Sequence, residues 1–237
     1  ERLASLALRH ELTAVPLVDH EGRLTGVVPP SEIMQVLRRE HVEDLHRMAG
    51  IQREAHDSEQ ARRAIEAPPL SRARDRLPWL LVGLAGSMLA TVLMRGFEAT
   101  LQAKLAVAFF VPAIVYLADA IGTQSEAIAV RGLSLTRAGV GHLLAGEVRT
   151  GMLIGACLAL ASFAPILAAF GDARLAAAVA TAVFAAGTIA AALGFLLPWW
   201  IARTGRDPAL GSGPLATVIQ DILTLLVYLL VVKAFGL

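Results

Sequence analysis

The chain has 237 residues, 56% of them hydrophobic and only 17% charged, with a formal net charge of +1 and a mean hydropathy of +0.61. An ordinary soluble domain is about 25% charged, so this composition calls for a bilayer. The weak net charge, with no basic block interleaved with aromatics, excludes nucleic-acid binding. A single cysteine, Cys157, in the apolar run Gly155-Ala156-Cys157-Leu158-Ala159, excludes a disulfide scaffold or a cysteine zinc site and is expected to be a buried, inert thiol. Residues 1–76 hold 12 Lys/Arg and 13 Asp/Glu, and residues 77–237 only 9 and 7. The first third therefore reads as water-soluble and the remainder as membrane-embedded. The chain opens Glu1-Arg2-Leu3 with neither an initiator methionine nor a signal-like apolar core, and further sequence upstream is expected.

Leu12-Thr13-Ala14-Val15-Pro16-Leu17-Val18-Asp19 reads as a short strand, followed by a turn at His20-Glu21-Gly22-Arg23 and a second strand, Leu24–Val28. Pro29-Pro30-Ser31-Glu32 then opens a helix with Ser31 as its expected N-cap and Ile33, Val36 and Leu37 on its apolar face. This strand-turn-strand-helix order, with Val-Pro-Leu-Val-Asp and Gly-Arg-Leu-Thr-Gly, resembles the second half of a CBS motif, a nucleotide- and effector-sensing module. A complete motif needs more chain before residue 1. The other reading is a small α+β fragment that supports its neighbour.

Residues 40–66 form a charged helical stretch with too few apolar residues for a core, and are expected to be a surface linker helix. Pro68-Pro69 and the run Arg72, Arg74, Arg76 lead to the first apolar segment, as suits a cytoplasmic membrane face.

A span needs about 20 mainly apolar residues, and five windows qualify, at 78–98, 101–121, 146–170, 174–201 and 213–235. The connections on the side of the soluble segment hold eight basic residues (Arg72, Arg74, Arg76, Arg131, Arg137, Arg149, Arg203, Arg206). The opposite side holds four (Arg95, Lys104, Arg174, Lys233). The positive-inside bias places the N-terminal segment in the cytoplasm and the C-terminus outside. Small residues crowd the third and fourth spans, permitting close packing, and a five-helix bundle of this size is expected to dimerise.

Ionisable residues at membrane depth are functional candidates by default. Asp221 lies about two turns into the fifth span, with Thr217 four residues earlier on the same helical face. It reads either as interhelical glue or as an ion-site carboxylate. Together, Asp221 and Thr217 offer oxygen ligands suited to hard divalent cations such as Mg²⁺. Asp207-Pro208 and Gly211-Ser212-Gly213-Pro214 imply broken helix at the start of that span, tolerated only where protein or water satisfies its carbonyls. Asp207 reads as pore mouth or as an interfacial loop cap. In the second span, after Pro112, the residues Asp119, Gln124, Ser125 and Glu126, with Gly122 among them, are too polar to face lipid. Glu98 and Glu147 lie near span ends, where pairing with Arg95 or Arg149 is expected. No Ser/His or His-Glu-x-x-His constellation occurs in the spans, which argues against an intramembrane enzyme.

Taken in order, the helix "EHVEDLHRMAG" at 40–50, "RLPWLLVGLAG" at 76–86, "GFEATL" at 96–101, "FFVP" at 109–112, "GTQS…VRGL" at 122–133, "GEVRTGMLIG" at 146–155 and "DPALGSGPLAT…D…Y" from 207 to 228 resemble the MgtE family of magnesium channels/transporters. The resemblance implies an all-α polytopic homodimer with five transmembrane helices per subunit, preceded by a small α+β partial CBS segment (1–39) and a connecting plug helix and basic linker (40–76), with the pore domain at 77–237. It implies a pore at the dimer axis lined by the second and fifth helices. Asp221 would hold hydrated Mg²⁺ there, Thr217 would offer its backbone carbonyl, and Asp207, Ser212, Pro214, Asp119, Gly122, Gln124 and Glu126 would line the pore or its mouth. Glu43 and Asp44 of the plug helix, with Glu98, are the candidates for regulatory metal binding, and a nucleotide is a possible ligand of a complete CBS domain. One departure stands out: where family members commonly carry Gly-Asn before the Gly-x-Gln of the second helix, this chain has Asp119-Ala120. That substitution removes a pore-side amide and adds a carboxylate. The expected function is gated, passive conduction of Mg²⁺ into the cytoplasm. The alternatives are a carrier for Co²⁺ or Mn²⁺ and a membrane-anchored CBS sensor without transport.

Overall fold

The structure, a computed structural model, describes residues 3, 6, 7, 10–49, 66–135, 139–205, 208–211 and 213–237. Its contacts divide the chain into two units, Glu1–Leu77 and Pro78–Leu237.

In the first unit, strands β1 (Val15–Val18) and β2 (Leu24–Val28) pair antiparallel, with Val15 opposite Val28 and a register shift between Leu17 and Val18. The connecting turn is closed by Asp19, whose Oδ1 accepts from the backbone N–H of Glu21 (2.9 Å) and Arg23 (2.8 Å). Helix α1 (Pro30–Met48) covers the hairpin through Ile33, which shares a small core with Ala7 and Val15. Ser31 is not the N-cap. The Pro29 carbonyl already accepts from the N–H groups of Glu32 and Ile33, which puts Ser31 inside the first turn. Pro30 fits the first helical position because its missing N–H would have had no partner there. With no proline or glycine to interrupt it, α1 runs unbroken past residue 40.

Among the described residues, five helices are long and apolar enough to cross a membrane. They are α2 (Pro69–Gly96), α4 (Ala106–Leu135), α5 (Val140–Phe170), α6 (Ala173–Arg203) and α7 (Pro214–Ala234), with a short helix α3 (Glu98–Ala103) between the first two. The second span is displaced from its expected window of 101–121. The chain leaves the α3 helix at Lys104, which is extended at φ −145° and ψ 90°. The spanning part of α4 is Ala106–Val130. Polar residues 119–126 remain at membrane depth because Ser125 and Glu126 are covered by neighbouring helices and are not offered to lipid.

Helix α6 is the centre of the membrane unit. Leu175, Val179, Val183, Ala186, Ala190 and Phe195 on it are buried, and it packs on α4, α5 and α7. Lipid gives helices no hydrophobic reason to associate, so contact must come from close van der Waals fit. The sequence supplies that fit with small residues. A Cβ at Gly151 of α5 would lie 2.6 Å from Ala191 Cβ, one at Gly155 only 2.9 Å from the Phe184 carbonyl oxygen, and one at Gly194 only 2.4 Å from the Gly122 carbonyl oxygen. Cys157, by contrast, is exposed on the outer side of α5 within the single chain, not buried, because Gly151 and Gly155 occupy the face turned to α6.

The turn between α5 and α6 is only Gly171-Asp172. Gly171 takes the left-handed conformation at φ 63° that ends α5. Asp172 caps α6 by accepting from the N–H of Arg174 (2.9 Å) and Leu175 (3.0 Å), and it pairs with Lys104, pinning this turn to the start of α4. The Lys104 ammonium, with the backbone donors, holds the Asp172 carboxyl below the usual carboxylate range. A lowered native value means that the contribution is fully present above the ordinary value of 3.8 and is lost as pH falls through the native one. Asp172→Asn keeps the cap and loses the ion pair. The difference in Tm between wild type and Asp172→Asn should therefore be constant above about pH 5 and shrink on acidification below that. In a second test, Gly194→Val should destabilise the protein by at least about 1–3 kcal/mol in detergent melting. Gly83→Ala, where an added Cβ meets nothing within 4 Å, should leave the Tm within about 2 °C, because surface changes rarely exceed about 0.5 kcal/mol.

Candidate functional site

Helices α4 and α7 run antiparallel and touch at three levels. Tyr228 Oη donates to the Val107 carbonyl at 2.6 Å, Gln220 lies over Gly122, and the Gly213 N–H reaches Glu126 Oε2 at 3.5 Å. Gly213 precedes Pro214 at φ 76°, a conformation that favours glycine, and it turns the chain from the 3-10 segment Pro208–Gly211 into α7. Helix is thus broken at this point, as the proline and glycine pattern implied.

At the middle level, Gln220 Nε2 donates to Glu126 Oε1 at 2.7 Å, with the two residues 2% and 3% exposed. A Cβ at 122 would stand 1.8 Å from Gln220 Oε1, so the Gln220 amide keeps its present position only beside glycine. Behind this contact, a Cβ at Gly194 would meet Ser125 Cβ at 2.9 Å and the Glu126 N at 3.1 Å, so α6 presses α4 from the other side. One carboxylate therefore holds α7 at two points, the Gly213 residue just before it and its second turn.

Asp119, Gly122 and Glu126 occupy one face of α4 at spacings of three and four. Asp119 lies within Coulombic range of both Glu126 and Asp221. Asp221 and Thr217 are partly buried on α7, as is Pro214 at its start. In the helix, the Thr217 carbonyl accepts from the Asp221 N–H four residues on. Among the described residues, no three His, Cys, Asp or Glu side chains converge on a metal-sized centre.

The other candidate residues are distributed along the chain, and the pairings of Glu98 and Glu147 differ from expectation. Gly122 and Glu126 are buried in the helix contact and present no open surface. Gln124 is exposed within the single chain, about 200° around α4 from Gly122, so it does not share the site's face. Glu98 accepts from Gln102 Nε2 at 2.9 Å, not from Arg95, and it precedes α4, whose start is about 20 Å along the helix axis from Asp119. Glu147 accepts from Ser125 Oγ at 2.9 Å, not from Arg149, and borders an apolar cleft of about 120 Å³ with Ile128, Leu143 and Phe195. Asp207 and Ser212 lie outside the described residues. Glu43 and Asp44 fall on α1, with side chains outside what the structure describes.

Gln220 is the residue that sequence reasoning passed over. Its signal was a polar amide inside the apolar run Ala216–Leu226, overshadowed by the neighbouring Asp221.

A family model described as "MgtE: Divalent cation transporter" matches residues 111–231. The chain is 33% identical over 239 residues to the magnesium transporter MgtE of Bacillus subtilis, an alignment covering 99% of this chain and 51% of that protein. It is 30% identical to the magnesium transporter MgtE of Thermus thermophilus (98% and 51%) and 30% identical to that of Enterococcus faecalis (99% and 51%). The chain thus spans about half the length of the curated relatives it matches.

If the Glu126–Gln220 bond is a buried unit, removing one partner orphans the other at a cost of about 1–3 kcal/mol. Glu126→Leu and Gln220→Leu should each lower stability by that much. The double variant should lose less than the sum, with a coupling of about 0.5–3 kcal/mol in detergent thermal denaturation.

Proposed function

The chain belongs to the MgtE family of divalent cation transporters, and from that premise we propose that it conducts Mg²⁺ passively across the membrane into the cytoplasm, with Asp221 holding the hydrated ion. The observation that carries this reading is the α4–α7 crossing. Asp119, Glu126 and Asp221 are three carboxylates at membrane depth, and no ion pair among the described residues reaches any of them. A carboxylate without a cationic partner is costly in a low-dielectric interior. A passing cation repays that cost, whereas a structural role does not require it.

The chemistry favours a hydrated ion. Mg²⁺ demands near-octahedral oxygen ligation and gives up water reluctantly, so one carboxylate from each copy of the chain, acting through retained water, is enough to hold it. The Thr217 carbonyl is already engaged in its own helix, so direct coordination by that atom would compete with a ladder bond. The site lies about 10 Å along α7 from Pro214, on the side whose connections carry the excess of basic residues. In this reading it would lie toward the cytoplasmic end of a pathway formed where two copies of the chain meet. Residues 1–39 would then be part of a cytoplasmic CBS-like sensor, with nucleotide as a ligand of the complete module. Glu43 and Asp44 on α1, within the plug segment 40–76, would take part in Mg²⁺-dependent closure. The carboxylate at Asp119 gives this chain a local charge that an amide would not, and Co²⁺ and Mn²⁺ are the ions whose passage would reveal it.

Reconstituted into liposomes loaded with a Mg²⁺-sensitive dye, the wild-type chain should show flux down an imposed Mg²⁺ gradient. Asp221→Asn should reduce that flux at least tenfold, while Glu98→Gln should stay within twofold of wild type. Undiminished flux through Asp221→Asn would remove this carboxylate from the pathway. A wild-type chain with no Mg²⁺ flux at all would leave the Co²⁺ or Mn²⁺ carrier and the anchored-sensor readings.

A further inference from the structure

Two buried oxygens at the α4–α7 crossing have no hydrogen-bond donor among the described residues, Asp119 Oδ1 and Gln220 Oε1. Gln220 is 2% exposed. Its side-chain amide lies along α4, with Nε2 committed to Glu126 and Oε1 over Gly122. Gly122 is one helical turn from Glu126 and one turn from Asp119, so the amide oxygen is directed toward the Asp119 end of the contact. Residues three apart on a helix have Cβ positions about 5–6 Å apart. Because Oε1 stands 1.8 Å from where a Cβ of residue 122 would be, the two orphaned oxygens lie about one helical turn apart along the same face of α4.

The charge of the crossing says what such a pair would take. Glu126 receives two N–H donors, and an ion shared between two copies of Asp221 would contribute one positive charge per protomer. Asp119 is then the carboxylate left without compensation. The other orphaned oxygen on this face is an amide oxygen, which accepts and cannot donate. A carboxylate and an amide carbonyl are the kinds of oxygen ligand that hard cations select. Glycine at 122 keeps the space in front of Oε1 clear of a side chain.

We infer that each protomer binds one hard cation between α4 and α7, ligated by Asp119 Oδ1 and Gln220 Oε1, at a site separate from Asp221. The site is a mixed carboxylate and amide pair, not an acidic cluster. It goes beyond the conduction reading and stands whether or not Asp221 holds the permeant ion. Occupied, it ties α4 to α7 beside the Glu126 clamp, and its chemistry fits either Na⁺ or Mg²⁺.

The test uses the full chain purified in detergent, in a buffer whose only other cation is N-methyl-D-glucamine, with thermal denaturation followed at constant ionic strength while NaCl or MgCl2 is raised. All proteins carry Asp221→Asn, so that the proposed conduction site is absent. A ligand that binds only the folded state raises Tm as its concentration passes Kd. The Asp221→Asn protein should show a saturable rise with one of the two salts, and adding Asp119→Asn should abolish it or move its half-saturation at least tenfold higher. A response to Na⁺ alone assigns a monovalent cation, and a response to Mg²⁺ assigns a divalent one. If Asp119→Asn fails to elute as a monodisperse species, Gln220→Met, which removes Oε1, takes its place with the same expected loss. Identical titrations with and without Asp119→Asn would overturn the inference. So would a Tm that responds to acid but to neither salt, which would mean that Asp119 is protonated and donates to Gln220.

Discussion

Everything in the membrane unit depends on how closely α4 is gripped between α6 and α7. At Gly194 there is no room for a methyl group, because the Gly122 carbonyl is 2.4 Å from where it would sit; at Gly122 there is none, because Gln220 Oε1 is 1.8 Å away. Two glycines on two helices thus allow three helices to pass one point. In water, such a crossing would be secured by burying apolar area. In lipid it is secured by the fit itself, and by the hydrogen bonds that the fit brings within range. The bond from Gln220 to Glu126 exists because the glycines let α7 come that near.

The same crossing explains how this helix pair can keep acidic residues at membrane depth. Glu126 is tolerated because the Gln220 amide and the Gly213 N–H are delivered to it by the chain break that starts α7. That break in turn is tolerable because Glu126 accepts the N–H exposed by the positive φ of Gly213. Asp221 follows Gln220 directly, so the clamp that fixes Gln220 also fixes the rotation of α7 and with it the direction of the Asp221 carboxylate.

Much of this was legible in the sequence. Five spans, the small-residue character of the third and fourth and the broken segment before the fifth all follow from composition and spacing. What escaped had a common physical cause. A hydropathy window averages over all faces of a helix, so it treated Asp119, Ser125 and Glu126 as the end of a span. In fact the burial of Ser125 and Glu126 against α6 and α7 lets the span continue to Val130. Nor can a window tell which side of α5 faces protein, and it therefore read Cys157 as buried when the glycine face was the one turned inward. Gln220 was passed over because its role is relational. An amide in an apolar run acquires meaning only once Glu126, far away in sequence, is known to lie opposite it.

The placement of Thr217 also bears on how an ion would be held. Four residues before Asp221 in an unbroken helix, its carbonyl is a ladder acceptor, unlike the unwound carbonyls by which helices broken at mid-membrane can grip a bare ion. The break in this chain lies a full two turns away, at Pro208–Gly213. A carboxylate on intact helix offers charge without a cage of backbone oxygens. That arrangement suits a cation that keeps its own water, because the water completes the coordination sphere that the helix leaves unfilled. On the conduction reading proposed above, an intact α7 would favour recognition of charge and hydrated size at Asp221 over direct coordination.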